Sequence, residues 1–170
     1  VKVALIQDRP ILGGNNSSEV RVHLGARINL EPYPELGNLV NEIGPTRGGN
    51  AQPKDYYEDD KKMQAVLNES NISLFLNYHA NEVMMRGNTI EKVVAQNLET
   101  GEKLAFSAPL FADCTGDGTI GYLAGAEYMS GRESRSTYNE PTAPEVADNL
   151  TMGLSVQWFS ENMDHPITYP

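Results

Sequence analysis

The residues best suited to chemistry lie past the middle of the chain, in the turn Thr115-Gly-Asp-Gly118. The apolar run Ala108–Ala112, which carries Pro109, leads through Asp113 into this turn, and Ile120, Leu123 and Ala124 follow at helical spacing. A strand, a glycine turn and a helix N-terminus form a common nucleotide-binding arrangement. The turn aims backbone N–H groups at a ligand, and glycine lets the ligand approach the main chain. An acid in such a turn suits hydroxyl groups, because Asp117 accepts hydrogen bonds from a polyhydroxyl chain and repels phosphate. The alternative is a helix capped by Thr115 or Asp117 with no ligand beside it.

A second group lies near the start. Val1–Gln7 reads as a buried strand ending at Gln7-Asp8, with Gly13-Gly-Asn-Asn16 a few residues beyond. In a dinucleotide-binding βαβ unit the second strand ends in an acidic or polar residue that bonds ribose hydroxyls, which is the place of Gln7 or Asp8. The plainer reading is an exposed strand end and a Gly-Asn turn. Arg21, His23 and Arg27 gather cationic and titratable side chains near this loop, suited either to an anionic or hydroxylated substrate or to solvent. Arg47-Gly-Gly-Asn50 is a further polar glycine cluster with no role assigned by its sequence. His23, His79 and His165 lack metal-ligand spacing, so no metal site is expected. The single Cys114 excludes an internal disulfide, a CxxC pair and a four-cysteine iron–sulfur site, and reads as a small core residue at a strand end.

The elements that must position these groups follow an α/β rhythm. Ser17, Ser18 and Glu19 read as the cap of a short helix carrying Val20 and Leu24. Residues 31–52 form a long irregular excursion, helical only over Leu36–Ile43. Asp55–Ser70 reads as the clearest helix, with Asp55 and Glu58 as a capping box, and is followed by the strand Ile72–Asn77. Glu82–Arg86, Ile90–Leu98 and Glu102–Phe106 alternate like strands, with turns at Gly87-Asn88 and Thr100-Gly101, and form an inserted antiparallel meander. A strand over Leu110–Asp113 and another over Thr151–Phe159 complete the reading.

At 170 residues and 39% hydrophobic, the chain can bury one ordinary core. Its net charge of −10 argues against nucleic acid and anionic membrane as partners. No apolar run reaches the roughly 20 residues needed to span a bilayer, so a soluble, by default cytoplasmic, protein is expected.

The order of strand, Gly-Gly turn, helix, strand, meander, strand and Thr-Gly-Asp-Gly resembles the FAD-binding domain of glutathione-reductase-like flavoproteins. More narrowly it is similar to the bacterial FAD-dependent oxidoreductase family with an Asp-x-Thr-Gly-Asp-Gly turn. The carrying residues are Val3–Gln7, Leu12-Gly-Gly-Asn-Asn16, Ala112–Gly118 and Gly131-Arg-Glu133. The resemblance implies a partial Rossmann-like FAD-binding domain over residues 1–128 and the start of a substrate domain over 129–170. It further implies that Gln7 or Asp8 meets the adenosine ribose, and that Gly13, Gly14, Asn15 and Asn16 line the phosphate and flavin side. The Ala80 backbone would meet the adenine edge, while Thr115, Gly116, Asp117 and Gly118 cradle the ribityl–pyrophosphate part. His23, Arg27 and Arg132 are the candidates for substrate-side or catalytic contacts. The opening strand, Gly-x-Gly-x-x-Gly turn and helix of such flavoproteins do not stand ahead of Val3–Gln7, and Gln7 stands where an acid is usual. The chain is therefore expected to be an internal fragment, inactive alone, of an enzyme whose flavin accepts a hydride from a small-molecule substrate. Two other readings are a non-catalytic α/β binding module and an NAD(P)-binding dehydrogenase fragment, the latter disfavoured by the meander.

Overall fold

A computed structural model describes residues 1–25, 30–156, 158 and 160–168. The chain forms two compact units, one built mainly on Val1–His79 and Gln96–Lys103, the other on Ala80–Ala95 and Leu104–Val156. Strand β1 (Val3–Gln7) pairs in parallel with β2 (Ile72–Leu76), in a register that sets Val3 opposite Ile72 and Gln7 opposite Leu76. Between them come a 3-10 turn at Gly14–Asn16, helix α1 (Asn38–Ile43) and helix α2 (Asp59–Leu67). Strands β3 (Tyr78–Arg86), β4 (Thr89–Asn97) and β5 (Lys103–Phe106) follow as a three-stranded sheet in sequence order, the expected antiparallel meander. Gly87 takes φ 59° at the β3–β4 turn, a conformation that favours glycine. On β4 the inward positions alternate, burying Val93 and Ala95. Two short helices close the second unit, α3 (Thr119–Leu123) and α4 (Arg135–Tyr138). The fold is mixed α/β, consistent with a partial Rossmann-like FAD-binding domain carrying an inserted meander.

Several expected elements take other forms. The helix expected after Ser17 is a turn. Arg21 sits at φ 61°, Ser17 Oγ donates back to the Gly14 carbonyl at 2.7 Å, and Val22 bonds Asn15 instead of continuing a helix. Asp55 and Glu58 form no capping box. Lys54–Tyr57 is a 3-10 turn, Glu58 is left-handed at φ 45°, and α2 begins only at Asp59. The Glu58 carboxylate is used instead by the Thr46 hydroxyl and N–H. Leu110–Asp113 forms no strand: Pro109 just before it has no N–H to offer a ladder, and Leu110 lies 86% exposed. Cys114 is accordingly exposed and not a core residue. The described residues of 151–159 also form no strand. They find no partner ladder, and Met152, Leu154, Val156 and Trp158 are all exposed. Phe159 lies outside the described residues.

Candidate functional site

In the first unit the glycine loop is built from its own side chains inward. Gly13 adopts φ 121°, and a Cβ there would fall 2.6 Å from the Asn16 carbonyl oxygen and 3.0 Å from Lys62 Cδ. Only glycine lets the chain close at this point. Ser17 is fully buried, Asn16 is 4% exposed, and Asn16 Nδ2 donates to the Val22 carbonyl at 2.9 Å. Asn16 Oδ1 is buried and accepts no hydrogen bond, an orphan acceptor inside the loop. Asp59, at the first turn of α2, accepts the Ser18 N–H at 3.1 Å and so ties the loop to the helix. Lys62, one turn on, is buried with its ammonium donated to the Tyr57 carbonyl. Burial pushes its pKa down, and Asp59 and Glu58 partly offset that shift. Gly14, by contrast, at φ 53°, has nothing within 4 Å of where a Cβ would stand, so its backbone is open.

Around this loop Gln7 Nε2 donates to the Ile11 carbonyl at 3.1 Å, which folds the strand end into the loop. Asp8 lies 3.7 Å from His79 Nδ1, both about half exposed. His23, next to the loop-bonded Val22, is held by Asn50: its N–H donates to Asn50 Oδ1 at 2.8 Å, and its Nδ1 lies 2.6 Å from the same oxygen. Arg27 lies outside the described residues.

In the second unit the Thr115–Gly118 turn is organised by Asp113. One carboxylate oxygen accepts the Thr115 N–H at 3.1 Å and its hydroxyl at 2.7 Å, and the other accepts the Gly121 N–H at 2.9 Å. Thr115 Oγ1 in turn accepts the Thr119 N–H at 2.9 Å and caps α3. Partial burial pushes the Asp113 pKa up, but the hydrogen bonds from Gly121, Thr115 and Ile120 outweigh it and hold the carboxyl below its ordinary value. Gly116 (φ 84°) and Gly118 (φ 68°) are left-handed, and nothing lies within 4 Å of a Cβ built on either. Asp117 is exposed and makes no hydrogen bond among the described residues. Ala80 is the third residue of β3. Arg132 is committed to Asp148, pairing with it through the guanidinium and through an isolated antiparallel bridge.

The structure thus places Gln7, Asp8, Gly13, Gly14, Asn15, Asn16 and His23 in one unit. Ala80, Thr115, Gly116, Asp117, Gly118 and Arg132 lie in the other. Asp113, Asn50, Tyr57 and Lys62 are the structural determinants that sequence reasoning passes over. Only Asp113 leaves a signal, the Asp-x-Thr spacing of a side chain bonding the backbone two residues on. No group of His, Cys, Asp and Glu suited to a metal ion occurs among the described residues, and no helix there is long and apolar enough to cross a membrane.

No curated protein matches the chain. The model of a family described as FAD dependent oxidoreductase matches residues 1–166. The chain belongs to the FAD-dependent oxidoreductase family.

Proposed function

We propose that this chain binds FAD and serves oxidation of a small molecule by hydride transfer to the flavin. The observation that carries this reading is the turn Thr115–Gly118. Its backbone is fixed by Asp113, yet Gly116 and Gly118 face open space and Asp117 is left with unused acceptors. An open, preformed main chain with an exposed acid suits a hydroxylated ligand chain. The glycine loop fits the same group, with Gly14 open and Asn16 Oδ1 an unused acceptor.

In this reading Gln7 or Asp8 meets the adenosine ribose, Gly13, Gly14, Asn15 and Asn16 line the phosphate and flavin side, and the Ala80 backbone meets adenine. Thr115, Gly116, Asp117 and Gly118 hold the ribityl–pyrophosphate part. FAD, when bound, supplies the two-electron acceptor, and the chain's own groups bind, orient and move protons. The Arg132 guanidinium, already paired with Asp148, holds residues 131–148 together and is a weaker candidate for substrate than His23. The division into an FAD-binding part over residues 1–128 and a substrate part beyond belongs to the same reading.

The test is an absorbance spectrum of the full-length protein, purified and then titrated with FAD. Bands near ~370 and ~450 nm that travel with the protein support the reading. A protein that stays colourless and takes up no FAD overturns it, and a binding module would then be the better description.

A further inference from the structure

We infer that Asn50 fixes His23 as its Nδ1–H tautomer, so that Nε2 is the proton acceptor when an alcohol is oxidised in this enzyme. Asn50 Oδ1 receives the backbone N–H of His23 at 2.8 Å, and an amide NH2 cannot accept that bond, so the atom facing His23 is the carbonyl oxygen. The same oxygen lies 2.6 Å from His23 Nδ1. An oxygen with only lone pairs to offer requires a hydrogen on Nδ1, and the neutral ring then carries its lone pair on Nε2.

Both partners are held in place. Ala51 N–H donates to the Arg21 carbonyl at 2.9 Å. The Tyr57 hydroxyl, 1% exposed as a residue, lies 2.7 Å from the Arg21 carbonyl and 3.0 Å from that of Gly49, and accepts the Gln52 N–H at 3.1 Å. This gives the Arg47-Gly-Gly-Asn50 turn a role: it delivers the Asn50 carbonyl to the imidazole. On the other side, Val22 N–H donates to the Asn15 carbonyl and the Val22 carbonyl accepts from Asn16, so the residue before His23 is tied to the glycine loop. Nε2 faces Gly25, where a Cβ would stand only 3.0 Å away, and the ring is exposed. Glycine at position 25 therefore leaves the basic nitrogen reachable.

The proton balance is simple. When the carbon of a secondary or primary alcohol loses hydride to the oxidant, the O–H bond breaks, its electron pair forms the C=O bond, and its proton passes to Nε2. The resulting imidazolium keeps its Nδ1–H bond to Asn50. His23 is thus the catalytic base and Asn50 a positioning residue. The choice of FAD as oxidant rests on the reading proposed above.

The test uses the full-length protein labelled with [15N]histidine. Nitrogen–proton correlation spectra of the neutral ring are expected to show Nδ1 protonated and Nε2 bare, the less common form of an unconstrained histidine. Asn50→Ala is expected to restore the Nε2–H form, while Asn50→Asp, whose carboxylate still accepts from Nδ1–H, keeps it away. An Nε2–H ring in the wild type, or a tautomer unmoved in a folded Asn50→Ala protein, overturns the assignment. The flavin-loaded protein is then mixed anaerobically with a panel of ethanol, 2-propanol, glycerol, lactate and inositol. Bleaching near ~450 nm by at least one of them, slowed about 100-fold or more in His23→Gln, is the expected result. Bleaching unchanged in His23→Gln overturns the catalytic role, and a panel that bleaches nothing overturns the alcohol class. Failure to take up FAD at all overturns the flavin reading but leaves the tautomer result to stand or fall alone.

Discussion

Asp113 and Gly121 are joined by a 2.9 Å hydrogen bond from the Gly121 N–H to Oδ2, across eight residues of chain. With its other oxygen on Thr115, the one carboxylate clasps both ends of the turn and the first turn of α3. Gly116 and Gly118 between are thereby shaped while nothing lies within 4 Å of a Cβ built on either.

Asp113→Ala is expected to remove this clasp and cost about 1 kcal/mol, the usual scale for a lost helix cap. Urea unfolding measures that loss, and FAD titration should show weaker uptake in parallel. The pH dependence follows from the depressed carboxyl. A folded-state pKa below the unfolded value near 3.8 gives stability that is present above 3.8 and lost as pH falls through the folded value. Wild type should therefore lose stability faster than Asp113→Ala on acidification below that point. Parallel acid limbs for the two proteins would count against the clasp.

Much of this was legible in sequence because the signals were local. The meander reads from alternation and from Gly87 and Gly101, and the Thr115–Gly118 turn reads from its glycines, both left-handed in the fold. What escaped was set by partners far along the chain. Glu58 looks like half of a capping box until Thr46 claims its carboxylate, twelve residues away. Ser17 looks like a helix cap until it is buried against Gly14 and the chain turns back at Arg21. Asn50 meets His23 across 27 residues, and no spacing rule announces such a pair. Leu110–Asp113 has a strand's composition, yet composition cannot supply the neighbouring ladder a strand needs.

The two glycines of the first loop should respond differently. Gly13→Ala drives a Cβ to within 2.6 Å of the Asn16 carbonyl, so backbone must move and the loop is expected to be lost, with stability falling by several kcal/mol. Gly14→Ala meets no atom and bears only the left-handed strain, about 1–2 kcal/mol. The Gly14 variant should fold and yet bind FAD less well, because its methyl group occupies the open face. Equal unfolding midpoints for the two variants would contradict this account of the loop.

Tyr57→Phe tests the joint behind the glycine loop. The lost hydroxyl leaves the Gln52 N–H without its acceptor and the Arg21 and Gly49 carbonyls without its proton, in a part-buried setting. A cost of about 1–3 kcal/mol is expected, on the scale of a buried polar group deprived of its partner. Because the same hydroxyl steadies the Asn50 turn, the His23 tautomer should become mixed in this variant. An unchanged histidine spectrum would show that Asn50 holds its place without Tyr57.

Lys62 offers a test with the opposite ionic sense. Burial lowers its pKa below the ordinary 10.5, against the opposing pull of Asp59 and Glu58 and with a small further lowering from Lys61. The unfolded chain therefore binds the proton more tightly than the folded one in the window between the folded value and 10.5. Across that window stability must rise with pH, since the cost of burying the ammonium disappears as it loses its proton. Lys62→Met keeps the stem that packs beside Gly13 and removes the charge along with the bond to the Tyr57 carbonyl. The wild-type stability minus that of the variant should increase with alkaline pH up to about 10.5, because other lysines and tyrosines titrate equally in both and cancel. Urea midpoints measured in steps from about pH 8 upward give the difference directly, and one that stays flat or declines would place the Lys62 ammonium in water and not beneath the glycine loop.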